Sequence, residues 1–396
     1  MKYVAVVLAL AICVCDATSN TWGRYEAAIR VLANNTLFRP TMESHMKAYR
    51  EAERTSPLRS LDQAGRNFAC PGGPSPTVPT SVHELRAGDI KVVAAMGDSL
   101  TAANGADAWT ILGCLTEYRG TSWSIGGDRS ISNDGITIPN ILRYFNPNVY
   151  GFSNGQGDRD SANKRFNVAK SGDKSMHMPE QADLLVQRLR SDPNINFHND
   201  WKLITIFIGG NDLCQFCSNE TVHTAVKYAS RIEEALQILY DNVPRALVQV
   251  VNIFDIGPLT EMGGLICSTV HVFACDCLLN QEGLDKASQL TLDYQRETAS
   301  VVSSSKFHNH EDFTVVLQPF LEEADPPRKS DGKLDTAFFA PDCFHFSRLG
   351  HQMVAKNLWN AMFQPVGLKD RDWDMNAGIY CPGQNEFIAT EKNNRQ

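Results

Sequence analysis

From Ile90 onward the chain alternates short apolar runs with longer stretches of helical periodicity. The runs IKVVAAM (90–96), RFNVAKSG (165–172), KLITIFIGGND (202–212), RALVQVVNIFDI (245–256) and FTVVLQPF (313–320) read as strands. The third is apolar without a break, as a strand buried on both faces must be. Between them PEQADLLVQRLRS, TVHTAVKYASRIEEALQILYDNV and LDKASQLTLDYQRETASVVSS repeat at helical spacing. The second of these sets Val222, Val226, Ala229, Ile232, Leu236 and Leu239 on one stripe. A last helix, RLGHQMVAKNLWNAM, starts near Ser347. Strand and helix in this alternation predict an α/β fold: a three-layer α/β/α sandwich around a central, mostly parallel five-stranded sheet with right-handed crossovers.

Ahead of this unit, residues 22–66 are predicted helical, with Trp22, Tyr25, Ile29 and Leu32 spaced to share a face that packs on the main domain. CPGGPSPTVPT (70–80) is too rich in Pro and Gly for regular structure and reads as a connector. The first residues, MKYVAVVLALAICVCDATSN, hold one Lys, an apolar run too short for the ~20 residues of a membrane span, and small residues around Ala17. That is the form of a secretory signal cleaved near Ala17, the alternative being an uncleaved anchor. The expected division is a signal peptide at 1–17, a helical extension and connector at 18–80, a main domain at 81–367 and a tail at 368–396. The polar ending EKNNRQ offers neither a span nor a lipid-anchor signal, so a secreted, extracellular protein without a transmembrane anchor is expected.

A net charge of -8 and the lack of any clustered basic tract exclude a general nucleic-acid binder. Secretion changes how the 11 cysteines read. Cys13 and Cys15 leave with the signal, and the rest (Cys70, Cys114, Cys214, Cys217, Cys267, Cys275, Cys277, Cys343 and Cys381) are odd in number and, in an oxidising compartment, disulfide-forming by default. Cys114, on an apolar stretch predicted to be a buried helix, is the expected unpaired thiol. CQFC and CDC could instead hold zinc, but no His stands beside them at ligand spacing, so no metal is expected. Asn34 and Asn219 head glycosylation sequons.

Ligands of an open parallel sheet bind outside the carboxyl ends of its strands. There the sequence offers Gly97-Asp98-Ser99, Ala169-Lys170-Ser171-Gly172, Gly209-Gly210-Asn211-Asp212 and, across a loop from the last strand, Asp342-Cys343-Phe344-His345. Each is weak alone, since Ser99 could be a turn serine, Gly172 a turn glycine, Asn211 a helix cap and His345 a packed loop histidine. The Asp342/His345 spacing just before a helix says more, because a carboxylate three residues from an imidazole can hold one ring nitrogen while the other faces a serine. His351, the rival base, reads as a surface or structural histidine. His177, His223, His271, His308 and His310 have no acid at useful spacing. G-x-S-x-G fails at Thr101, and a trypsin-type GDSGG is excluded by Leu100 and Thr101.

This set resembles the SGNH or GDSL hydrolases, whose four blocks match GDSL, the Gly of NVAKSG, the Asn of GGND, and DCFH. Longer blocks, among them PTSVHELRAGDIKVVAAMGDSLTAANGA, WSIGGD, IGGNDLC and FFAPDCFHFSRLGHQMVAKNLWNAM, are similar to the membrane-associated type of phospholipase B, from about Cys70 to Gly367. The vertebrate form of that family is repeated and tethered, whereas a single catalytic unit without a C-terminal anchor is expected here, so membrane attachment is not carried over. The resemblance implies a flavodoxin-like fold and a cofactor-free serine esterase cleaving acyl esters of phospholipids and lysophospholipids in transient contact with lipid surfaces. Ser99 would be the nucleophile, His345 the base and Asp342 its orienting acid. Ser99, Gly172 and Asn211 would form the oxyanion hole. A carboxylesterase or acyltransferase on other esters and a catalytically retired binding glycoprotein are the alternatives. WSIGGD (Trp123–Asp128) is either a cleft wall or a structural turn.

Overall fold

The computed structural model describes residues 21–394, so the expected signal at 1–17 lies outside the described residues. Its sheet has four parallel strands, β1 (Ile90–Gly97), β2 (Trp201–Phe207), β3 (Ala246–Val251) and β4 (Phe313–Gln318), in the spatial order β1-β2-β3-β4. All of β2 and β3 and all of β1 but Lys91 are buried, so both faces are covered, as unbroken apolar runs require. Among the described residues the helices are α1 (Thr21–Asn34), α2 (Arg39–Thr55), α3 (Ser60–Arg66), α4 (Ser99–Ala102), α5 (Ile138–Phe145), α6 (Met178–Ser191), α7 (Gly210–Gln215), α8 (Ala225–Asn242), α9 (Leu265–Ala274), α10 (Gln281–Val302) and α11 (Arg348–Met362). Strands that neighbour one another in sequence order send right-handed crossovers to one face. Accordingly α8 packs between α6 and α10. α11 packs on α5 and against β4, and Phe145 stacks on Trp359 where α5 and α11 meet.

The expected fifth strand is the main difference. RFNVAKSG does lie parallel beside β1: Ala95 N donates to Phe166 O, Val168 N to Ala95 O and Lys170 N to Gly97 O. It makes an isolated bridge, Ala95 with Asn167, and no continuous ladder. The reason is local. Arg165 (φ 53°) and Gly172 (φ 81°) turn the chain away at both ends. Its outward carbonyls, Asn167 O and Ala169 O, accept from the guanidinium of Arg119 at 3.2 and 2.8 Å. A fully buried side chain thus closes this edge of the sheet.

Helix ends follow side-chain caps. Ser347 accepts from Gly350 N and starts α11, and Thr224 accepts from Lys227 N and starts α8. The α8 cap leaves Val222 outside the helix and turns Val226 to solvent, so the buried stripe runs through Tyr228, Ala229, Ile232, Ala235, Leu236 and Leu239. The helical region at 22–66 is split into α1, α2 and α3. Tyr25, Ile29 and Leu32 of α1 bury against Ile111, Cys114, Ile266, Val270 and Ala340, a small core apart from the large one around the sheet. The C-terminal segment folds back through the Cys70–Cys381 disulfide and backbone bonds from Ile388 N to Leu85 O and Ala389 N to Met362 O.

Candidate active site

The serine turn is dictated by close packing. Gly97 ends β1 at φ 156°, and a Cβ there would lie 2.4 Å from Phe207 O and 2.5 Å from Thr101 Oγ1. Asp98 caps α4, its Oδ1 accepting from Leu100 N at 2.9 Å, and Ser99 is the first helical residue, 4% exposed. Gln181 of α6 clamps the turn from behind: its Oε1 accepts from Gly97 N at 2.9 Å, and its Nε2 donates to Gly97 O and to Asp173 Oδ2, each at 2.8 Å. Burial pushes the Asp98 carboxyl up to about 7, against a bond from Leu100 N and the nearby His345, which favour its charge.

Beside this turn runs the loop after the bridged segment. Gly172 is left-handed, and a Cβ on it would sit 2.7 Å from Trp22 Cβ, so α1 lies directly over the loop. Asn211, in the first turn of α7 after β2, donates from Nδ2 to Asp173 O at 2.9 Å, which ties it to the Gly172 loop and leaves its second amide hydrogen for another acceptor. Ser99 and Asn211 line one pocket with Leu100, Phe254, Ile256, Leu259, Phe339, Phe344 and Phe346. Its free volume is ≈ 30 Å³, so a chain longer than a few atoms enters only if these side chains swing aside.

The Asp342–His345 spacing closes as a hydrogen-bonded pair. Asp342 Oδ2 and His345 Nδ1 are 2.7 Å apart, with both side chains buried. Cys343, at φ 59°, makes the turn between them, and its disulfide to Cys267 fastens that turn to α9. Asp342 Oδ1 accepts from the backbone N–H of Phe344 and of His345, each at 3.0 Å. Burial alone would raise the Asp342 pKa, but His345 and these donors hold it below the usual carboxylate value. His345 Nε2 is buried with no hydrogen-bond partner among the described residues, so it is not bonded to Ser99 in this structure. In serine hydrolases at large a base-to-serine bond is often long before substrate binds. Ser99, Asn211 and the Gly172 loop are thus brought to one rim, with Phe344 joining the pocket and His345 close enough to act on Asp98.

His351 is buried, not superficial; its Nδ1 lies 3.3 Å from Trp123 N as acceptor, and burial pushes its pKa down to about 3. His223 does have an acid, Asp212, at 3.3 Å. Trp123 of WSIGGD is buried under α4, its Nε1 donating to Leu100 O, so the segment is structural. CQFC and CDC pair with each other as Cys214–Cys275 and Cys217–Cys277, leaving their sulfurs no role as metal ligands, and Cys114 is free and buried. Asn34 and Asn219 are exposed. No described helix is long and apolar enough to cross a membrane. Sequence reading missed Gln181, Arg119 and the site-facing roles of Trp22 and Tyr25; Tyr25 donates from Oη to Asp342 Oδ2 at 2.7 Å.

The sequence pattern of GDSL-like lipases and acylhydrolases matches residues 93–358, which contain the serine turn, the Gly172 loop, Asn211 and the Asp342–His345 pair. The chain belongs to that family. It is similar to the membrane-associated phospholipase B1 of mouse, at 41% identity over 391 residues covering 94% of this chain and 26% of the mouse protein. The human protein of that name is also 41% identical, over 377 residues, covering 90% of this chain and 26% of its own length. This chain therefore spans 26% of the length of these relatives. Family membership agrees with the helix-flanked parallel sheet.

Proposed function

We propose that this protein is a serine esterase that removes acyl chains from phospholipids and lysophospholipids. The observations that support this are the buried Asp342–His345 pair, whose second ring nitrogen has no partner among the described residues, and a serine that opens on a pocket walled by phenylalanines, among them Phe344 next to that histidine. In the proposed cycle Ser99 attacks the ester carbonyl, and His345 Nε2 takes the serine proton and returns it to the leaving alcohol. Asp342 holds Nδ1 and favours the imidazolium. Water then repeats the sequence on the acyl-enzyme. The backbone N–H groups of Ser99 and Gly172 and the free amide hydrogen of Asn211 are the donors for the oxyanion, set in place before charge develops. The apolar pocket favours an acyl chain over a polar acid, and the phospholipase B1 relatives favour a lipid ester.

An extracellular site of action accords with four disulfides and with exposed Asn34 and Asn219, which we propose carry glycans. The deciding experiment is hydrolysis of phosphatidylcholine, lysophosphatidylcholine and short p-nitrophenyl esters by the purified protein and by Ser99→Ala. Wild type is expected to act on both lipids and to label with a fluorophosphonate, and Ser99→Ala to do neither. Lipid hydrolysis surviving in Ser99→Ala, or wild-type action on the short esters alone, overturns the proposal.

A further inference from the structure

Asp342 is held by more than the loop that carries it. Its Oδ1 takes two backbone N–H groups, and its Oδ2 takes His345 Nδ1 and Tyr25 Oη, both at 2.7 Å. A carboxylate has about four lone-pair sites, so these four donors satisfy it fully in a place closed to water. Tyr25 comes from α1, outside the span matched by the family pattern, and 317 positions before the residue it binds. Its hydroxyl hydrogen has one good acceptor, because the alternative, Cys114 O, is 3.5 Å away. Burial beside Asp342 raises the phenol pKa well above its ordinary value, so the hydroxyl remains a donor. The rings of Tyr25 and Trp22 stand edge-on to His345 at 5.5 and 6.1 Å and wall the imidazole from solvent.

We propose that Tyr25 is a positioning residue for the Asp342–His345 pair, supplied by the N-terminal helix and acting through the carboxylate. This rests on the reading of His345 as the base. With one lone pair of Oδ2 engaged by Tyr25, the other stays aimed at Nδ1 and the carboxylate cannot rotate. The same bond withdraws negative charge from Oδ2, so the imidazolium is stabilised less and gives up its proton more readily.

The other titratable groups facing the pair are Tyr49 of α2, Cys114, Asp98 before α4, His271 of α9 and His351 of α11. Tyr25 is the one side chain besides His345 seen to donate to the Asp342 carboxylate among the described residues.

The test is Tyr25→Phe, which keeps the ring and removes the donor, beside Tyr294→Phe, another buried tyrosine whose hydroxyl donates to His223 O. Expected for Tyr25→Phe are a kcat lower by about tenfold with KM within about twofold, and an acid limb of kcat/KM raised by roughly half a pH unit. Titration of the His345 ring by NMR is expected to move by the same amount, and Tyr294→Phe to move neither. A loss of rate without movement of either titration means a merely structural tyrosine and overturns the proposal, as does an unchanged enzyme. Should wild type hydrolyse no ester, the reading of His345 as base fails, while the NMR titration still decides whether Tyr25 tunes it.

Discussion

Asp98 is the acid of the Gly-Asp-Ser turn and is 2% exposed, facing Asp212 and Asp173 as well as His345. Its carboxyl titrates at about 7 in the folded protein, against 3.8 for an ordinary aspartate. Across that window the folded state keeps a proton that the unfolded chain has released. Stability is therefore full below pH ~4 and declines as pH rises, until the folded carboxyl also ionises near 7. The difference is about three pH units, and each is worth about 1.4 kcal/mol, so the cost at pH 8 is about 4 kcal/mol. Asp98→Asn preserves the shape and the cap to Leu100 N, since an amide oxygen accepts as well as a carboxylate oxygen. It removes the charge. The variant is expected to be the more stable protein at pH 8, and its advantage over wild type is expected to grow by about 3 kcal/mol between pH 5 and pH 8. Urea unfolding of both proteins at the two pH values measures this. Parallel pH dependences, or an Asn variant weaker at pH 8, would refute the account of Asp98 as a charge held against its burial.

Asn211→Ala is expected to lower kcat by about 10²- to 10³-fold with the fold intact, if its free amide hydrogen meets the oxyanion; steady-state kinetics on a lipid ester read this, and an unchanged kcat removes Asn211 from the site. Gly172→Ala forces a side chain onto φ 81° and to within 2.7 Å of Trp22 Cβ. It is expected to cost about 1 to 3 kcal/mol, and full stability in urea would show that α1 does not pack on this loop as described.

The strands were legible because burial on both faces leaves few polar interruptions, so a run such as KLITIF, with Thr205 alone inside it, marks itself. RFNVAKSG is a weaker run and stays an isolated bridge because the chain turns away at Arg165 and Gly172, while the guanidinium of Arg119, 48 and 50 residues away, occupies its outer carbonyls. Nothing in the local pattern carries that. The pair Asp342/His345 was legible because its geometry is set within three residues by one turn. The acid that His223 meets, Asp212, was not legible because it sits in a different element, where it also accepts from the backbone N–H and the hydroxyl of Ser175. Of the two readings of His351, surface or structural, the structural one holds; the sequence left both open because α11 is buried on nearly every side and its periodicity has no polar face to read. The unpaired Cys114 followed from apolar neighbours alone. The bond from Tyr25 had no sequence signature beyond the general need of a buried tyrosine for a partner.

The pieces that must meet are held by two different means. Asn211 rides on α7, which Cys214 and the adjoining Cys217 link to Cys275 and Cys277. Cys343, between the acid and the base, is linked to Cys267 at the other end of the same α9 segment. The amide donor and the imidazole are thus joined through one short stretch of covalently anchored chain. The serine turn belongs to no disulfide. It is fixed by Gly97 packing on Phe207, by the Gln181 clamp and by the neighbouring loop, all of which act through hydrogen bonds and contact. α1 touches both systems, Trp22 on the Gly172 loop and Tyr25 on Asp342. Its register therefore fixes the disulfide-framed Asp342–His345 pair against the packed serine turn, which is why a helix outside the matched span belongs to the proposed site as much as the motifs do.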